Sequence, residues 1–186
     1  MSDRDASADR PPVTARVRRY EVAPDCSHDE FLAAAKVYAR AVVDAHDLSV
    51  TVGDLSWEVS TRAKRRAGAV RYRDGVPEAV VLTWGHFERA GWPAAAATVR
   101  HELAHVHLLT ETGDASHGPA FRRLADRLDT HVHCDRFTPP TWWVRCVDCG
   151  AELPRYRRSK LVDDPERYRC GDCGGRFRVE RNADAD

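Results

Sequence analysis

His101-Glu102-Leu103-Ala104-His105 lies inside an Ala-rich run from Ala94 to Leu109 that neither glycine nor proline interrupts. Such a run predicts a helix. On an α-helix, residues four apart share a face, so both imidazoles can reach one metal ion. Two neutral imidazoles suit zinc, at about 2.0–2.1 Å from each nitrogen. Glu102 is turned about 100° from His101, beside the metal rather than on it. There it can take a proton from an attacking water and hand it to a leaving amine. Leu103, Val106 and Leu109 would pack the same helix into a core. The motif therefore demands a fold that buries one long helix while leaving a metal open to water.

A catalytic zinc needs a third protein ligand and an open fourth position. A histidine six residues after the second is excluded, because position 111 is Glu, and 118–130 contains no Glu to serve from a following helix. Asp114, His117, Asp126, His131 and His133 remain. His117 is the best placed, because it follows a short loop and directly precedes the helix opened by Gly118-Pro119, which can return antiparallel over the first. His131 and His133 flank a valine and read as a solvated strand. His107 lies well off the ligand face, at the surface or behind a ligand.

Four of the six cysteines form Cys146-x-x-Cys149 and Cys170-x-x-Cys173, with twenty residues between the inner pair. Two such knuckles at this separation predict a zinc ribbon. Four thiolates close the tetrahedron, so this zinc is structural, and Gly150, Gly171, Gly174 and Gly175 permit the tight turns. Cys26 and Cys134 read as idle thiols.

The 186 residues carry zero formal net charge, which excludes a strongly basic nucleic-acid protein, and 42% are hydrophobic, enough for one core. No apolar run reaches membrane length and the N-terminus has no secretory signal, so the expectation is a cytoplasmic protein without a membrane partner. Residues 1–18 read as a flexible lead-in, 19–138 as the main domain, 141–180 as the ribbon and 181–186 as a tail. Ser27 with Glu30 forms a capping box for a helix to Asp47, with Phe31, Ala34, Ala35, Val37, Tyr38, Val42 and Val43 on its apolar face. Leu48–Val52 and Leu55–Val59 read as strands. Residues 69–73 and 78–84 flank Asp74-Gly75, a hairpin signal. Phe121, Leu124, Ala125 and Leu128 share a helix face, and Trp142 and Trp143 are expected in the ribbon core. The fold class is α+β, with a small antiparallel sheet, the metal helix and its partner, then a β-rich ribbon.

His101-Glu102-Leu103-Ala104-His105 followed by Ser116-His117-Gly118-Pro119-Ala120-Phe121 resembles the SprT-like zinc metalloproteases, a group that includes Spartan. The resemblance covers roughly residues 28–175. It implies a zincin-like domain with a C-terminal zinc ribbon, in which His101, His105 and His117 hold one catalytic Zn2+, Glu102 is the catalytic base, and Phe121 anchors its helix. It further implies a metalloendopeptidase that digests proteins held on DNA, including covalent DNA–protein crosslinks, with single-stranded DNA as a partner.

Charge placement bears on that partner. Arg62, Lys64, Arg65, Arg66, Arg71 and Arg73 fall between Ser60 and Arg73 without an acid. Arg155, Arg157, Arg158 and Lys160 surround Tyr156 in the ribbon. Basic side chains neutralise phosphates and aromatics stack on bases. The competing reading is a non-catalytic nucleic-acid or transcription-type factor in which only the ribbon acts; the intact Glu102 argues against it. A peptidase with no DNA role is a third. Tyr72 and His86 lie upstream, and nothing in the sequence places either in the site.

Overall fold

The computed structural model describes residues 13–132 and 139–183, which form two compact units. The first begins with a 3-10 turn, Val13–Tyr20, followed by helix α1, His28–His46. Ser27 caps α1: its Oγ accepts the Glu30 N–H at 3.2 Å, while the Glu30 carboxylate accepts the Ser27 N–H at 2.8 Å. Phe31, Ala35, Tyr38, Ala39 and Val42 are buried. Val37, assigned to that face from spacing, is half exposed.

The expected strand over Leu48–Val52 does not form. The segment turns through a 3-10 piece, Val52–Asp54, into β1, Ser56–Ser60. Strands β2, Gly68–Arg73, and β3, Val76–Thr83, make the predicted hairpin. Asp74 (φ 51°) and Gly75 (φ 81°) are both left-handed, as a type I′ turn requires. The sheet order is β1-β3-β2, so β3 is central and β2 is an edge. The sheet is mixed rather than wholly antiparallel, because β1 pairs parallel to β3. The chain reverses between β1 and β2 and again at the hairpin, so β3 regains the direction of β1 when it inserts beside it.

Helix α2, Trp84–Thr112, begins where β3 ends and is broken at Gly91, whose φ of 73° is non-helical. Pro93 then opens the long segment that carries the histidines. Ala95, Ala96, Val99, Leu103, Ala104 and Val106 face the core. Helix α3, Pro119–Arg127, packs against α2 through Phe121, Leu124 and Ala125. Val17, inside the stretch read from sequence as lead-in, accepts a hydrogen bond from Trp92 Nε1 on its carbonyl at 2.9 Å, and Tyr20 packs on Tyr38 at 5.3 Å between ring centroids.

In the second unit, β4 (Trp142–Cys146), β5 (Glu152–Arg155) and β6 (Phe177–Arg181) form an antiparallel sheet in the order β5-β4-β6. A short helix α4, Lys160–Asp163, and a 3-10 turn, Pro165–Arg167, occupy the long loop. Val144 is fully buried, whereas Trp142 and Trp143, expected in the core, are only half-buried. Arg181, counted with the tail, ends β6 and sets its guanidinium over the Trp142 ring at 6.0 Å. The architecture is α+β. Among the described residues, no helix is long and apolar enough to cross a membrane.

Candidate metal centres

His101 and His105 project from successive turns of α2, and His117 enters from the loop before α3. Their Nε2 atoms converge, at 3.2 Å (His105–His101), 2.9 Å (His105–His117) and 3.3 Å (His117–His101). Three nitrogens on a tetrahedral zinc with bonds of about 2.05 Å stand about 3.3 Å apart, so the spacing fits that ion. Phe121, fully buried, lies against all three rings at centroid distances of 4.9, 4.4 and 4.5 Å from His101, His105 and His117. Burial, then the neighbouring His101 and His117, pushes the His105 pKa down to about 4, which keeps its imidazole neutral and able to ligate.

The loop that delivers His117 is held locally. Gly113 ends α2 in the left-handed conformation at φ 70°, with its N–H on the Leu109 carbonyl. The Asp114 carboxylate accepts the Ser116 N–H at 2.8 Å, which turns the chain toward the site. Asp114 and Asp126 are exposed and stand outside the histidine cluster. His131 contributes its main chain rather than its ring: His101 Nδ1 lies 2.8 Å from the His131 carbonyl. The Nδ1–H tautomer makes that bond and leaves Nε2 as the lone-pair donor. His107 points away and accepts the Ser49 N–H on Nδ1 at 3.0 Å. His133 and Cys134 lie outside the described residues.

Glu102 is 3% exposed. Burial pushes its pKa up to about 8, while the Arg66 guanidinium and a hydrogen bond from the Val70 main chain act in the opposite direction. A cation held by the adjacent imidazoles would lower it further. The strand–helix contact is close because position 68 has no side chain. A Cβ on Gly68 would sit 2.6 Å from Glu102 Oε1. Sequence reasoning missed this glycine, whose only signal was a glycine at the start of a β-rich run.

These groups open on a cleft of about 660 Å³. Its walls include Gly68, Val70 and Tyr72 from β2, His86 from the first part of α2, and Arg65 and Arg66 from the loop before β2. Tyr72 and His86 thus reach the same cleft, a placement that long-range pairing decides and local sequence does not.

In the second unit, the four cysteine sulfurs gather within 4.8 Å of one another. Cys146 Sγ lies 3.5 Å from Cys173 Sγ, and Cys149 Sγ 3.7 Å from Cys170 Sγ. A disulfide needs about 2.05 Å. Four sulfurs on a zinc with bonds of about 2.3 Å stand about 3.75 Å apart, which these separations match. Gly150 (φ 75°) and Gly174 (φ 74°) each follow the second cysteine of a knuckle in the left-handed conformation. Hydrogen bonds from the Cys149 and Asp148 main chain lower the Cys146 thiol to about 7. Asp148 joins the two knuckles by accepting the Arg176 N–H at 3.1 Å. Cys26 is a free thiol in the other unit.

Arg62, Lys64, Arg65 and Arg66 are exposed on the loop before β2. Arg71, Arg73 and Arg158 are exposed as well, and pair with Glu58, Glu78 (at 3.1 Å) and Asp163. Arg157 and Lys160 are exposed, and Arg155 and Tyr156 half-buried.

Residues 34–141 match the SprT-like family. A Protein SprT-like from Streptococcus sanguinis (strain SK36) is 32% identical over 143 residues, which cover 72% of this chain and 94% of that protein. A Protein SprT-like from Bacillus velezensis is 33% identical over 86 residues, covering 43% of this chain and 55% of that protein. One from Geobacillus kaustophilus is 29% identical over 107 residues, covering 54% and 69%. The histidine cluster fits a metalloprotease-type site and the cysteine cluster fits a zinc ribbon. With the match running through both helices that build the histidine cluster, the chain belongs to the SprT-like family.

Proposed function

We propose that this protein is a zinc-dependent endopeptidase that acts on DNA-associated proteins, with a second, structural zinc in the ribbon. One observation carries the peptidase reading: three imidazole nitrogens meet within 3.3 Å of one another beside a buried carboxylate. His101, His105 and His117 would hold the catalytic ion, and Cys146, Cys149, Cys170 and Cys173 the structural one. When bound, zinc supplies Lewis acidity to the scissile carbonyl. Glu102 takes the proton of the attacking water on a carboxylate oxygen and returns it to the departing amine. The Val70 main chain hydrogen-bonds that carboxylate, and the Arg66 charge favours its ionised form. β2, an edge strand along the cleft, offers main-chain groups to which an extended peptide can add.

A non-catalytic scaffold has no use for a carboxylate buried at the metal cluster, and burying one is costly. The DNA part rests on the exposed Arg62, Lys64, Arg65 and Arg66 near the cleft and on Arg157 and Lys160 in the ribbon. DNA that gathers enzyme and substrate would raise their effective concentration, so a deep specificity pocket becomes unnecessary. A cytoplasmic location accompanies this reading, because free thiols persist in a reducing compartment. The test is cleavage of a protein crosslinked to DNA, with and without added single-stranded DNA, at two salt concentrations. Faster, salt-sensitive cleavage with DNA supports the full reading. Equal rates leave a peptidase without a DNA role, and no cleavage of any protein removes the enzyme.

A further inference from the structure

Arg100 immediately precedes the first histidine of the motif, yet it points away from the cleft and is only 5% exposed. Burying a guanidinium is costly unless its donors are satisfied. Here they are. Nη1 donates to Tyr38 Oη at 2.5 Å, and Nε and Nη2 both donate to the Asp129 carbonyl, at 3.2 and 2.6 Å. The nearest carboxylate, that of Asp129, is 4.0 Å away and largely exposed, so ion pairing does not account for the placement. A leucine would fill the same core position without the desolvation cost.

The Asp129 carbonyl begins a short strap that runs back along α2 after α3 ends. Asp129 itself is left-handed at φ 50°. Thr130 follows, with its N–H on the Ala125 carbonyl at 2.9 Å and its Oγ1 donating to the Ala97 carbonyl at 2.7 Å. His131 comes next, and its carbonyl meets His101 Nδ1 at 2.8 Å. Three consecutive residues of the strap are thus fastened to residues 100, 97 and 101 of one helix.

We infer that Arg100 is a positioning residue for the metal centre: it fixes the Asp129–His131 strap, and the strap's last carbonyl sets the tautomer and tilt of His101. The inference rests on the metal reading above and adds to it a device outside the ligand set. Partners that orient a ligating histidine are worth about 10–100-fold in metal affinity. Arg100 acts at one remove, through main chain whose position depends on its two-donor grip. Lysine, with a compact point charge, cannot span both Tyr38 and the Asp129 carbonyl in the same way.

The test uses the full chain with both zincs. Chelator competition measures the affinity of the histidine centre, with the ribbon zinc as an internal reference, in wild type, Arg100→Lys, Thr130→Val and Tyr38→Phe. Nitrogen NMR of the imidazoles reads the His101 tautomer in the zinc-free wild type. We expect Arg100→Lys and Thr130→Val to weaken the histidine centre about 10–100-fold, with the ribbon unchanged. Tyr38→Phe keeps the Asp129 grip and should weaken it less than either. Zinc-free wild type should show His101 protonated at Nδ1. Folded Arg100→Lys and Thr130→Val proteins with wild-type affinity would overturn the inference. If the substituted chains do not fold, the tautomer decides: His101 protonated at Nε2 in zinc-free wild type overturns it, and Nδ1 supports it. A wild type that takes up only the ribbon zinc refutes the metal reading instead, and the His101 tautomer then still tests the strap.

Discussion

Gly68 and Glu102 stand so close that a Cβ on the glycine would lie 2.6 Å from the carboxylate oxygen. It would also lie 2.7 Å from Thr98 Cγ2, a β-branched side chain on α2 with little freedom to move. The edge strand and the metal helix therefore meet at the carboxylate. Gly68→Ala should force them apart, at a cost of about 1–3 kcal/mol by overpacking. It should also lower kcat beyond what reduced folded population explains, because Glu102 shifts. Chemical denaturation beside peptidase kinetics separates the two effects. Unchanged kcat would show that Glu102 tolerates displacement.

Removing the third imidazole should act on one centre alone. His117→Ala should reduce bound zinc from two ions to one per chain and abolish cleavage, while the ribbon retains its ion. Metal analysis after dialysis reads the count. Retention of both zincs would place the third ligand elsewhere.

Phe121 is fully buried against all three imidazoles. Phe121→Ala should cost about 3–5 kcal/mol, a large-to-small change in a packed core. Because the rings lose their common support, zinc affinity at the histidine centre should fall as well. Denaturant unfolding with zinc titration checks both; a loss of stability with unchanged zinc affinity would make Phe121 a core residue only.

The ribbon is too small to fold on apolar burial alone, so a metal held by its four cysteines would supply much of its stability. Cys170 is 5% exposed. Cys170→Ser should remove one zinc and collapse the NMR dispersion of β4, β5 and β6, with the histidine centre still loaded. Persistence of that dispersion would show that the sheet holds without its ion.

Features set by neighbours in sequence were legible without a structure. The Ser27–Glu30 capping box, the Asp74-Gly75 turn, the helical spacing of His101 and His105, and the paired cysteine knuckles each occupy a few consecutive residues. Features set by distant pairing were not. The parallel placement of β1 against β3 depends on which strand takes the centre of the sheet. Trp84–Ala90 directly follows a β-rich run, yet it is helical from Trp84 and the helix breaks at Gly91, so a single α-helix was readable only from Ala94 onward. The half-burial of Trp142 and Trp143 reflects how little core a small sheet provides. The carbonyl of His131 carries no signature of residue type, so its bond to His101 could not be foreseen, and nothing adjacent in sequence sets Arg100 apart from the other arginines.

The most direct measurement compares zinc content and proteolysis in wild type and Glu102→Gln, a change that keeps shape and removes the base. Both proteins should carry two zincs per chain, with cleavage of a denatured protein substrate by wild type and a fall of at least about 10²-fold in the variant. Wild-type cleavage by Glu102→Gln, or a wild type that cleaves after the histidine-bound zinc has been stripped, would contradict this.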